Sequence, residues 1–192
     1  MRVALSACVQ RALAVWALLL GRPDSALRHW RTLRELRPRD ARVPAAIAHR
    51  LAADGRHEAA LEQFREALAL DAKVPAVWFN QAFVQQQAGL HEQALLSFGH
   101  ALSLDPALDR ALYGLALSLI ALGRVSDAIA PLRRNTELQP MSPFGWYHLA
   151  HAYWRLGETG QAHHAIRTLA SFEPQVARQI EREIGQTPVR NV

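Results

Sequence analysis

Apolar and polar positions along the chain follow helical spacing in pairs of stretches, most clearly between residues 75 and 106. Trp78, Ala82 and Gln85 fall on one stripe, Gly89 interrupts it, and Ala94, Phe98, Ala101 and Leu104 resume at three- or four-residue intervals until Pro106. The spacing predicts two helices joined at the glycine, because Gly accepts positive φ without a Cβ clash and lets the chain double back within a few residues. The pattern recurs. Gly21, Gly55, Gly89, Gly123 and Gly157 stand 34 residues apart. Two alanine columns run in step, Ala14, Ala48, Ala82, Ala116, Ala150 and Ala26, Ala60, Ala94, Ala128, Ala162. A further column, Pro38, Ala72, Pro106, Pro140 and Pro174, breaks once. A fixed period of this length predicts a stack of helix pairs. Small side chains before and after each turn predict close helix approach, toward the short end of the usual range of about 8–10 Å.

The signature positions read Trp78, Gln81, Ala82, Gln85, Gly89, Ala94, Phe98, Ala101, Leu104, Pro106 in the third unit. In the fifth they read Trp146, Leu149, Ala150, Tyr153, Gly157, Ala162, Ile166, Leu169, Phe172, Pro174. On these residues the chain resembles the tetratricopeptide repeat family. The resemblance implies an all-α fold, a right-handed α-solenoid of antiparallel helix pairs, with repeats at 7–40, 41–74, 75–108, 109–142 and 143–176. These are expected to form one domain over 1–184. Two departures stand out. Pro131 lies inside a second helix, where its missing N–H should kink the first turns, and Gln10 stands where repeat one should carry a large apolar residue.

The two ends differ. Val176, Ile180 and Ile184 share a stripe with charged residues elsewhere, which predicts a capping helix over 175–184 that covers the last repeat, followed by a polar tail, 185–192. Ala12 to Leu20 contains no polar residue. That run is too short to span a membrane, which takes about 20 residues. No small-x-small cleavage pair follows Leu20, and too few residues precede Leu5-Ser6-Ala7-Cys8 for a lipoprotein signal. It reads as a repeat helix whose outer face meets a second copy, a partner or an upstream segment.

Composition narrows the function. The formal net charge is +5, and eight arginines lie between Arg22 and Arg50 against Asp24, Glu35 and Asp40. Arg28, Arg31 and Arg34 form a row that could steer an acidic partner, but no aromatic residues interleave with it, which argues against nucleic acid. Cys8 is the only cysteine, so no intrachain disulfide is available; the cytoplasm is the expected compartment, with a periplasmic or membrane-associated location if the first apolar run acts as a signal. Arginine in place of lysine, together with Ala and Leu richness, suggests a GC-rich bacterial genome. No phosphate-binding loop, Cys pair or Ser-His-Asp motif is present, so neither catalysis nor a cofactor is expected. His148, His151, His163 and His164 would have to converge on one ion to bind metal, and none is expected. His57 and His91 share a repeat position that suits packing between helices.

The resemblance implies that the first helix of each repeat lines a concave face that binds a peptide. The matching positions are Phe79, Asn80, Phe83, Gln86 and Gln87 in repeat three; Arg110, Tyr113, Leu117 and Ile120 in repeat four; and Phe144, Tyr147, His148, His151, Trp154 and Arg155 in repeat five. Repeat two contributes Arg42 and His49. This lining is aromatic and apolar, with Asn80 suited to a peptide backbone and Arg110 and Arg155 to a carboxylate. Ala45 and His49 stand where chaperone-tail binders of the family carry Lys and Asn, so an apolar or aromatic segment is the expected ligand, with Phe83, Tyr147 and Trp154 as anchors. Trp78 and Trp146 are expected in the core. The implied function is a noncatalytic adaptor that binds a protein partner. Alternatives are an accessory module of a bacterial transferase or envelope-assembly complex, self-association through the N-terminal helix and, least favoured, RNA binding through the Arg22 to Arg50 cluster.

Overall fold

The computed structural model describes residues 2–186, and the side chains of 6–185. The chain divides into two compact units, one ending at Leu90 and the other starting at His91. Unit 1 holds α1 (Arg2–Leu19), α2 (Pro23–Leu36), α3 (Arg42–Ala53), α4 (His57–Leu70) and α5 (Pro75–Gln87). Unit 2 holds α6 (His91–Leu104), α7 (Asp109–Ala121), α8 (Val125–Leu138), α9 (Pro143–Arg155), α10 (Thr159–Ala170) and α11 (Pro174–Gln186). The described residues contain no strand; the class is all-α, consecutive helix pairs of the α-solenoid type. Residues 187–192, most of the expected polar tail, lie outside the described residues.

Each turn is built as the spacing predicts. The five periodic glycines have φ between 65° and 77°. In the first turn the Gly21 N–H donates to the Leu18 carbonyl and the Arg22 N–H to that of Ala17, at 3.0 and 2.8 Å. Paired bonds three and five residues back close the helix C-terminus, and the left-handed residue between them favours glycine. All ten alanines of the two columns are fully buried. Because no larger side chain separates the helices there, α1 packs on α2 and α3 on α4 in unit 1, and α7 on α8 and α9 on α10 in unit 2. The wide residues of the second helices fill the space beside them: Trp30 and Phe64 in unit 1, Phe98, Leu132 and Ile166 in unit 2, all buried.

Departures from the pattern have local causes. Gln10 is held by His29, whose Nδ1 lies 2.8 Å from its Oε1, so the polar residue is matched across α1 and α2. Pro131 is buried, and α8 runs through it to Leu138. Trp78 and Trp146 are only half-buried, a correction to their expected core placement. Each indole N–H reaches out of the core to a carbonyl six residues earlier, Ala72 and Pro140, both at 2.9 Å, and this bond holds the ring at the edge of its helix. His57 and His91 are half-buried where the turns enter α4 and α6. Arg28, Arg31 and Arg34 lie exposed along α2, and Arg34 reaches Gln63 and Glu66 of α4.

Unit 2 ends on α11, which packs against α9 and α10. Ala177, Ile180 and Ile184 are buried there with Ala150, Ala165, Ile166 and Leu169. Glu181 and Arg182 stay exposed, so the terminal helix turns an apolar stripe inward and a charged one to water.

Candidate functional site

The implied binding residues sit on α5 in unit 1 and on α7 and α9 in unit 2. On α5, Phe79 and Phe83 stack at 6.4 Å between ring centroids, with Phe83 exposed. The Asn80 amide is already engaged: its Nδ2–H donates to Nε2 of His49 at 3.0 Å, and the His49 ring meets Phe64 edge-on at 5.5 Å. An amide able only to donate from nitrogen fixes the acceptor as His49 Nε2, leaving the ring proton on Nδ1. Gln86 is half-buried and Gln87 exposed. Arg42 is bound at 2.8 Å to Asp40, and this bond holds the Asp40 carboxyl below the usual carboxylate range. Two residues of this face are thus satisfied within unit 1.

In unit 2 the aromatic residues converge. Tyr113 of α7 meets Phe144 and His148 of α9 at 6.5 and 5.6 Å, and Tyr147 meets His148 and His151 at 5.1 and 4.6 Å. Phe144 is the most exposed of these rings. With Pro143, Tyr147, His148 and Val176 it lines an apolar cleft of about 270 Å³. Leu117 and Ile120 are half-buried on α7; Arg110 and Arg155 are exposed. Trp154 is half-buried, edge-on to His163 at 6.2 Å.

Three contributors were not among the sequence-derived positions. Val176 closes one wall of the cleft. Gly114, in register with Asn80 and His148, is buried over the Phe98 ring, so α7 offers no side chain at that point. Glu183 of α11 accepts from the Tyr147 hydroxyl at 2.8 Å and lies 2.9 Å from His151 Nε2, while Gln179 donates to its other oxygen at 2.8 Å. These bonds, Gln179 first, hold the Glu183 carboxyl below its ordinary range; burial, followed by the bond to Glu183, pushes the Tyr147 hydroxyl up. Among the described residues no three His, Cys, Asp or Glu side chains converge as metal ligands, and no helix is long and apolar enough to cross a membrane.

Burial, with His151 nearby as the smaller cause, lowers the pKa of His148 from its ordinary 6.5. A group that resists protonation when folded contributes stability that is complete above 6.5 and lost as pH falls below it toward the lower folded value. Unit 2 should therefore have a lower urea midpoint at acidic than at neutral pH, and His148→Gln should shrink that difference. An unchanged difference in the variant would show that His148 is not responsible.

Tetratricopeptide repeat profiles match residues 11–75, 81–143 and 145–175. No curated protein matches the chain in sequence. Among solved structures, the MamA RS-1 ArsTM double mutant superposes with a TM-score of 0.81 at 20% identity, over 93% of this chain and 96% of that one. YrrB, described as a TPR protein with an unusual peptide-binding site, gives 0.77 at 16% identity over 88% of each chain. PilF of Pseudomonas aeruginosa gives 0.76 at 20% identity over 96% of this chain and 89% of its own. Identities this low carry the fold alone, whereas the profiles span most of the sequence: the chain belongs to the tetratricopeptide repeat family.

Proposed function

We propose that the protein is a noncatalytic adaptor that binds a peptide segment of a protein partner on the α7 and α9 face of unit 2. The observation that carries this reading is the aromatic cluster of Tyr113, Phe144, Tyr147 and His148 around an apolar cleft of about 270 Å³. A cleft of that size takes one large side chain rather than a small-molecule substrate, and aromatic walls give it contact area at low entropic cost. Leu117 and Ile120 extend the surface along α7, suited to a ligand with an aliphatic or aromatic anchor, and Arg110 and Arg155 are exposed on the same two helices. Phe79, Asn80, Phe83, Gln86 and Gln87 lie on a second face, on α5 of unit 1. The peptide-binding description of YrrB agrees with this class of function.

A peptide-display selection against the full chain tests the proposal. Selected peptides should share a large apolar anchor, and Phe144→Ala should weaken them at least tenfold, because a central interface aromatic contributes about 2 kcal/mol or more. Phe144 is exposed, so its loss leaves the fold intact. Peptides that bind equally well to the variant would move the site off α9.

A further inference from the structure

Behind the proposed peptide face, α9 turns a different set of side chains into a separate cavity. Trp146, Leu149 and Tyr153 fall three and four residues apart, about half a turn around the helix from Tyr147, His148 and His151. They line a cavity of about 310 Å³, with α8 and α10, both packed on α9, supplying the rest of its walls. Arg133 of α8 and Gln161 and His164 of α10 stand exposed around it. The repeat does not require these polar groups. One period earlier, Arg133, Gln161 and His164 are Gly99, Asp127 and Ala130. Tyr153 holds a core position that Leu119 fills in repeat four, and both are buried, so the ring completes the packing and the hydroxyl is an addition to it. Tyr153 is only 8% exposed, yet among the described residues its hydroxyl makes no hydrogen bond, and an unmatched buried hydroxyl is costly. Nor do the side chains of Arg133, Gln161 and His164 have a hydrogen-bond or ion-pair partner among those residues. Burial raises the pKa of Tyr153 from its ordinary 10.0, so the hydroxyl keeps its proton and can donate; Arg133 acts in the opposite direction, which places its charge within electrostatic reach of the ring oxygen.

We infer that this cavity binds a carboxylate carried on an apolar body no larger than a side chain. Arg133 supplies paired N–H donors that match the two oxygens of a carboxylate, and Tyr153 supplies an O–H from the buried side. Leu149 and Ala165 supply apolar contact, and the Trp146 N–H is committed to the Pro140 carbonyl, so that ring meets a ligand through its apolar surface. The volume stands at the low end of the ligand-pocket range of about 300–1000 Å³, which limits the body to a ring or a short branched chain. Glu137 also lines the cavity, held by Arg134 at 2.9 Å. One unpaired guanidinium beside that carboxylate suits a monoanion, whereas a phosphate dianion would set its second charge against Glu137. All of these residues belong to unit 2, and none is part of the proposed peptide face.

Proton–nitrogen NMR of the full chain, titrated with sodium phenylacetate to about 20 mM, tests the inference. Amides of α8 and α10 should shift saturably, with a dissociation constant of about 1 mM or below, an affinity within reach of about ten heavy atoms. Arg133→Gln should weaken binding about tenfold or more, and Tyr153→Phe should weaken it severalfold. Arg133 is exposed and Tyr153→Phe keeps the buried ring, so unchanged far-ultraviolet circular dichroism will show that both variants fold. 2-Phenylethanol, which keeps the ring without the charge, and inorganic phosphate, which has no apolar body, should both bind more weakly than phenylacetate by about tenfold or more. N-acetylphenylalanine bound more tightly than phenylacetate supports the site and marks a peptide C-terminus as the source of the carboxylate; the reverse order supports it and marks a free acid. Phenylacetate shifts that do not saturate, equal binding by Arg133→Gln, or phosphate or 2-phenylethanol bound as tightly as phenylacetate would each overturn the inference.

Discussion

Phe98→Ala should destabilise unit 2 by about 3–5 kcal/mol, the range for removing a buried aromatic ring and leaving a cavity. The ring is completely buried, and its face is occupied by Gly114 of α7. A Cβ built on Gly114 overlaps the Phe98 ring, so Gly114→Ala in the wild-type background forces the ring or the helix to move and should cost about 1–3 kcal/mol. The same substitution should change sign once the ring is gone. In Phe98→Ala the methyl enters vacated space and replaces a helix-interior glycine by alanine, which favours the helix by about 0.5–1 kcal/mol. Urea denaturation of the wild type, both single variants and the double variant gives the cycle. Hydrogen exchange at α6 and α7 amides locates the loss within unit 2, since a repeat couples mainly to its neighbours. Additive losses would show that Gly114 and Phe98 do not constrain each other.

That pair also shows where the sequence is legible and where it stops. The turn glycines, the alanine columns and the large second-helix residues are set by a period of 34, and the structure places every one as the spacing requires. These features depend on backbone conformation and on contact within one helix pair, which every repeat must satisfy in the same way. Gly114 was harder to read because its column is Asn80, Gly114, His148; the position has no shared requirement, and its role depends on a ring supplied by α6. The candidate site was legible as a list of outward-facing positions but not as a set of side-chain states. Asn80 is engaged by His49, 31 residues away, and Tyr147 by Glu183, 36 residues away. Whether two long side chains from different repeats meet is decided by reach and rotamer, about which periodicity says nothing. Trp78 and Trp146 illustrate the same limit within a repeat, since an available carbonyl six residues back draws each indole toward the surface.

Ile180→Ala should be the most damaging single change in α11, at about 2–5 kcal/mol, and it should reach the proposed binding face indirectly. Ile180 is fully buried among Ile166, Leu169 and Ile184, so its removal leaves a cavity where α11 meets α9 and α10. Glu183, one turn further on, binds Tyr147 and His151, yet its side chain and that of His151 are 37% and 27% exposed. An ion pair or hydrogen bond at that exposure contributes about 1 kcal/mol or less, so Glu183→Gln should barely shift the urea midpoint. The order of effects therefore separates two accounts of the terminal helix. If apolar burial attaches α11, Ile180→Ala loosens it, and both the Tyr147 hydroxyl and the cleft wall at Val176 lose their neighbours. The Tyr147 pKa should then fall back toward its ordinary 10.0, because burial is the larger cause of its elevation and Glu183 the smaller. Glu183→Gln would remove only the smaller cause and leave α11 protected from proteolysis. If the polar cluster attached the helix instead, the two variants would be equally unstable and equally cleaved by trypsin after Arg178 and Arg182 of α11. Denaturation, limited proteolysis and tyrosine titration on the two variants distinguish these outcomes, and burial of three apolar side chains against one half-exposed carboxylate favours the first.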